Sequence, residues 1–164
     1  MKNIAFVAPF LRPATVRFLV AVLAQPGVRV GLISHDRPDS LDPAVRNKLA
    51  AWGQMGDGLG AGAILLGAQR VAQQLGSIDR LLGMLEQLQV PLAQVREELG
   101  LRGMGVEAAQ NFRDKARMKD ALRAAGLPCA KHALVGSVSG ALEFAKQVGY
   151  PVVIKPPAGA GAVA

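Results

Sequence analysis

Two short segments hold the residue types best suited to hold an anion. The first runs from Asn111-Phe-Arg-Asp-Lys115 through Ala-Arg-Met-Lys-Asp-Ala-Leu-Arg-Ala-Ala to Gly126-Leu-Pro128. The second is Gly149-Tyr-Pro-Val-Val-Ile-Lys155, followed by Pro-Pro-Ala-Gly159-Ala-Gly161. On a helix advancing about 100° per residue, Lys115 lies roughly 70° from the apolar stripe formed by Met118, Ala121, Leu122 and Ala125. It is the basic residue best placed where a core meets a cleft. Lys155 closes an apolar run just before a glycine loop, and strand ends of this kind face the ligand side of α/β folds. The loop lets backbone amides approach a phosphate without Cβ obstruction. Each feature alone has a plainer reading: a lysine laying its stem along a helix, a solvated strand end, an ordinary turn.

Elements must position these residues, and their order is legible. Residues 3–8 read as an apolar strand, 14–24 as a helix and 28–34 as a second strand. The Asp-, Pro- and Gly-rich stretch 35–59 leaves room for a short helix near 43–50 and a weak strand near Trp52. Helix 60–75, strand 79–84 and helix 88–99 follow. Strands alternating with helices of this length predict a parallel sheet with right-handed crossovers. The expectation is a Rossmann-like α/β domain over residues 1–105. Its first loop, Pro9 to Pro13, lacks the glycines of a dinucleotide fingerprint. Residues 101–110 read as a linker. A second unit over 106–164 then begins with a helix capped by Asn111, with Asp114 near its positive end. Strands at 131–135 and 151–155 flank a helix from about Ser139 to Val148.

Composition narrows the class. Hydrophobic residues make up 51% of the 164 and charged residues 19%, which excludes a disordered chain. No uncharged apolar run reaches a membrane span; the best, Phe18 to Val28, is closed by Arg17 and Arg29. The one cysteine, Cys129, excludes an internal disulfide and fits a reducing compartment, so a cytoplasmic protein with no membrane partner is expected. The net charge of +7 is uneven: +2 lies in residues 1–100 and +5 in residues 101–164. That points either to a solvated basic face or to an anionic partner. Nucleic acid is disfavoured, because few aromatics interleave with the basic residues.

The two segments, in this order and spacing, resemble the start of an ATP-grasp domain. That family opens with an Arg-Asp-Lys helix running into Gly-x-Pro and continues to Gly-Tyr-Pro-Val-Val-x-Lys and a glycine-rich loop. Residues 1–105 resemble the pre-ATP-grasp domain by architecture, and 106–164 an incomplete ATP-grasp domain. The resemblance implies that Lys115 and Lys155 hold ATP phosphates, with Gly159 and Gly161 in the flap above them. Two point charges and a ring of amides suit a polyphosphate. It also implies a substrate-facing role for Glu86, whose plainer reading is a carboxylate favoured at a helix start.

The implied activity is ATP-dependent joining of a small carboxylate to an amine or similar nucleophile through an acyl phosphate, in an enzyme of a kind often dimeric. Residues 99–109 resemble the amino-acid ligase branch, although biotin carboxylase and carbamoyl phosphate synthase share this lobe. The Mg²⁺ ligands of the family come late in the domain and are expected beyond residue 164. The sequence is therefore expected to be an N-terminal piece of a longer ligase, inactive alone.

Other candidates are weaker. Gly159-Ala-Gly-Ala-Val-Ala164 fits a dinucleotide-type G-x-G-x-x-A, a lone match without its helix and acid. That keeps a non-catalytic Rossmann-like nucleotide-binding or interaction module as the alternative. His35 and His132 read as solvated or structural histidines, and Cys129 as a small packed residue.

Overall fold

Both faces of the strand Lys2–Val7 (β1) are covered, and alternation decides what covers each. Ala5 and Val7 pack with Ile64, Ala68 and Val71 in one cluster, while Ile4 and Phe6 pack with Leu19 and Leu32 in another. A strand buried on two sides is the mark of a central strand in a parallel sheet. The computed structural model, which describes residues 1–159, has that sheet. Val28–Ser34 (β2), Ala51–Gln54 (β3) and Arg80–Gly83 (β4) join β1 in the order β3-β2-β1-β4, all parallel.

The register pairs Phe6 with Leu32 on one side and Leu82 on the other. Crossovers run through the helices Pro13–Leu23 (α1), Pro43–Arg46 (α2) and Ala61–Leu75 (α3). Gln89–Glu98 (α4) follows β4. Helix α1 supplies Leu19 to one face, while α3 and α4 cover the other with Ile64, Val71, Leu92 and Val95. The expected α/β architecture is the one observed.

Helix α3 sits unusually close to the sheet. A Cβ on Gly53 of β3 would collide with the carbonyl oxygen of Gly67 in α3, and one on Gly67 would collide with Ile33. Two glycines thus allow the backbones to meet. The sheet edge at β3 is closed by side chains from the same helix. Gln74 accepts from Trp52 N–H at 3.2 Å and donates to Trp52 C=O at 2.7 Å, as a neighbouring strand would.

The chain divides into two compact units, Met1–Val106 and Glu107–Ala164. The second is helical. Val106–Arg113 (α5) occupies the second half of the stretch expected to be a linker, so Asn111 lies inside a helix and caps nothing. Asp114 instead ends that helix and caps the next, Lys115–Ala124 (α6). Ser137 caps Val138–Val148 (α7) through a bond from Gly140 N–H at 3.1 Å. Residues 131–135 and 151–155, expected as strands, join no ladder. A strand exists only with a partner for its N–H and C=O groups. Among the described residues the only sheet is that of β1 to β4. No helix there is long and apolar enough to cross a membrane.

Candidate functional site

The second unit brings Lys115 to the glycine loop through the main chain. Asp114 adopts an extended conformation, and its Oδ1 accepts from Ala116 N–H at 2.8 Å and Arg117 N–H at 3.1 Å. This satisfies two of the donors that every helix start leaves open. The remaining one, Lys115 N–H, donates to Pro157 O at 3.0 Å. Pro157 lies two residues after Lys155 and two before Gly159, so one hydrogen bond joins the first turn of α6 to the loop.

A chemical consequence follows from this pairing. The first amides of α6 are all taken by protein oxygens, so they are not free to receive an anion. The two lysines differ in exposure: Lys115 is half-buried, while Lys155, two residues before Pro157, is exposed. Gly159 is half-buried, and a Cβ there would stand 3.7 Å from Pro156, ordinary contact. Packing therefore does not demand glycine at 159. Gly161 lies outside the described residues, as does most of the Gly159–Ala164 dinucleotide-like pattern.

Glu86 belongs to the first unit. It opens a 3₁₀ turn, Glu86–Leu88, just past the carboxyl end of β4. The neighbouring strands β1 and β4 lead to crossovers on opposite sides of the sheet, so Glu86 stands at the topological switch point. Crevices for ligands open at such points in parallel sheets.

His35, at the end of β2, is not the solvated histidine that was expected. Its Nε2 is 3.1 Å from Gly58 O and its ring centroid 5.5 Å from that of Phe10. A carbonyl only accepts, so the ring hydrogen sits on Nε2. Beside it Asp36 accepts from Leu11 N–H at 2.8 Å, and Ser34 Oγ donates to Pro9 O at 3.2 Å. The β1 loop is thereby pinned to the end of β2 without glycine.

Cys129 is half-buried with Sγ 3.7 Å from Lys119 O, a packed thiol. His132 lies 3.1 Å from an Arg123 guanidinium nitrogen and 3.5 Å from Asp120. Among the described residues no group of three or more His, Cys, Asp or Glu could hold a metal ion, so they do not fit a Mg²⁺ site. Sequence reasoning missed the cap at Asp114. Its signal was present, an Asp directly before a helical run, but Asn111 drew the helix start three residues too early.

Comparison with known proteins points to an ATP-binding domain in the second unit. Residues 114–163 match the family model of the carbamoyl-phosphate synthase L chain, ATP binding domain. The matched stretch begins at Asp114 and takes in Lys115, Lys155 and both loop glycines. Residues 114–163 are thus similar to an ATP-grasp ATP-binding domain. The alanine–anticapsin ligase of Bacillus subtilis (strain 168) is 37% identical over 87 residues, which are 53% of this chain and 18% of that protein.

The fold is also shared with solved structures. One is an N5-carboxyaminoimidazole synthetase from Staphylococcus aureus complexed with ADP: TM-score 0.67, 15% identity, 97% of this chain and 39% of that one. Another is an L-amino acid ligase from Bacillus licheniformis: TM-score 0.59, 15% identity, 90% of this chain and 42% of that one. The chain thus spans less than half the length of these proteins.

Proposed function

We propose that these residues form the phosphate-holding part of an ATP-dependent carboxylate–amine ligase. The observation that carries the reading is the bond from Lys115 N–H to Pro157 O. It ties one lysine to the loop that follows the other, inside the stretch matching an ATP-binding domain. The Lys115 and Lys155 ammonium groups meet the β- and γ-phosphate oxygens as point charges. Amides around Gly159 and Gly161 close over them.

A substrate carboxylate oxygen then attacks the γ-phosphorus. The bond to the β,γ-bridging oxygen breaks, and ADP leaves with its electron pair. An amine attacks the resulting acyl phosphate at carbon, phosphate departs, and the amine gives up a proton. The lysines serve because negative charge moves onto the phosphate oxygens as the bond breaks. Glu86, at the switch point of the first unit, faces the substrate and orients its polar groups. No step is routed through a metal, since the described residues offer none a site. By this reading residues 1–164 bind phosphates but do not complete turnover alone, in keeping with the 18% of the alanine–anticapsin ligase that they match.

The test is ATP binding and ligation by the intact protein. Lys115→Ala and Lys155→Ala should each remove one charge-assisted contact, about 1.5–3 kcal/mol. ATP affinity should fall roughly ten- to hundredfold. Unchanged ATP affinity and turnover in both variants would sink the reading.

A further inference from the structure

A second anion-seeking feature lies in the first unit, away from both lysines in the sequence and built from different residues. A cavity of about 430 Å³ opens along the outer strand β4. Ligand pockets take about 300–1,000 Å³, so there is room for a small molecule. Its lining includes three arginines: Arg80 of β4, Arg96 of α4 and Arg102 of the stretch after α4. Leu82 and Met104 add apolar surface.

Arg96 is the unusual member. It is 9% exposed, the one buried side chain in the described chain that carries a full charge. Burial pushes its pKa down, and no carboxylate offsets that. Its Nε donates to Leu81 O at 3.0 Å and one Nη to Met104 O at 3.4 Å. Two carbonyl dipoles use two of the five guanidinium hydrogens and cancel none of the charge.

The nearby acids Glu97 and Asp79 have other hydrogen-bond partners, although the Asp79 charge also acts on Arg80. Glu97 accepts from Val106 N–H at 2.7 Å. Asp79 accepts from Asn3 N–H at 2.7 Å and from Lys2 at 3.3 Å. Arg80 gives one bond to Asp79 O at 2.7 Å, which leaves most of its donors unused. The backbone is shaped to fit. A Cβ on Gly103 would stand 2.7 Å from Arg96 Cδ and 3.0 Å from its Nε, so the guanidinium lies where any other residue would put a side chain.

A buried charge is costly to retain unless something pairs with it. We infer that this cavity binds a small oxyanion, a phosphate or a carboxylate, held by Arg96 from within and by Arg80 and Arg102 at its rim. The planar fork of arginine suits both groups bidentately. Leu82 and Met104 would receive the apolar part of an organic anion. Arg96 also ties Met104, so occupancy would stiffen the segment that leads out of the first unit.

The inference stands apart from the ligase reading, and its test separates the two. The ¹⁵N-labelled 164-residue chain is titrated with inorganic phosphate, and separately with acetate, at constant ionic strength. Saturable amide shifts at Leu82, Gly103 and Met104 are expected with at least one of them, and the tighter binder tells phosphate from carboxylate. The rim variant Arg80→Gln/Arg102→Gln keeps Arg96 and should fold. Its affinity should be at least tenfold weaker. Lys115→Ala/Lys155→Ala should leave the same shifts unchanged. The inference is overturned if neither anion gives saturable shifts there. It is equally overturned if the rim variant binds as the parent does, or if the response disappears with the two lysines.

Discussion

The two units bury their apolar residues very differently. In the first, Ile33, Ile64, Leu81, Leu88 and Leu92 are almost wholly enclosed on one side of the sheet, and Leu19 and Leu32 on the other. In the second, only Ala109 and Ala145 are buried hydrophobics among the described residues, while Val153 and Ile154 are 76% and 79% exposed. Both units contain runs of valine, isoleucine and leucine. The difference is that β1 finds β2 and β4 to pair with, while Pro151–Lys155 finds no partner strand among the described residues. Apolar sequence is thus a capacity for burial, and pairing decides whether it is used.

Substitution at matched residues should expose this contrast most strongly. Ile64→Ala, in α3 against the sheet, should cost about 2–5 kcal/mol through lost burial and the cavity left behind. Ile154→Ala should change stability by no more than about 0.5 kcal/mol. Chemical denaturation of both variants of the 164-residue chain checks the pair. Equal losses would mean that the Ile154 segment is as well packed as α3.

A smaller effect is expected inside the second unit, where local bonds carry more of the order. Asp114→Ala removes the acceptor for Ala116 and Arg117 N–H and should cost about 0.5–2 kcal/mol. Amide exchange should quicken along α6 while β1 and β2 stay protected, because the two regions open separately. Faster exchange across the sheet as well would show one cooperative unit.

The mildest test is of acid sensitivity in the first unit. The hydrogen bond from Asn3 N–H holds the Asp79 carboxyl below its usual range, helped by Lys2 and Arg80. A lowered folded pKa means that the contribution is present above the unfolded value of about 3.9. It is lost as pH falls through the folded value. Melting temperature followed between about pH 2 and 6 should therefore drop at the acid end, and Asp79→Asn should flatten that drop. An identical profile in the variant would remove Asp79 from the account.

Much of the first unit was legible because its signals are local. The apolar run at residues 3–8, the spacing of Ile64, Ala68, Val71 and Leu75, and the glycines after the helices each name an element without reference to the rest of the chain. Even the short β3 near Trp52 could be placed. The candidate site was legible as motif, with Lys115 and Lys155 marked by their neighbours. What joins them, a main-chain bond across some forty positions, was not. Arg96 was invisible for the same reason. Its sequence neighbours make it an ordinary helix arginine, and only Leu81, Gly103 and Met104 bury it.

The sequence by itself determined the α/β alternation of the first unit, most helices and their stops, and the lysine and glycine types around the candidate loop. These depend on interactions within a few residues. The tertiary structure alone decided the strand order β3-β2-β1-β4, the seating of α3 on Gly53, and the placement of Lys115 against Pro157. It also left two apolar segments without a ladder and one guanidinium buried without an acid. Such outcomes depend on which distant groups meet, and hydrogen-bond pairing and burial are properties of the meeting rather than of either partner.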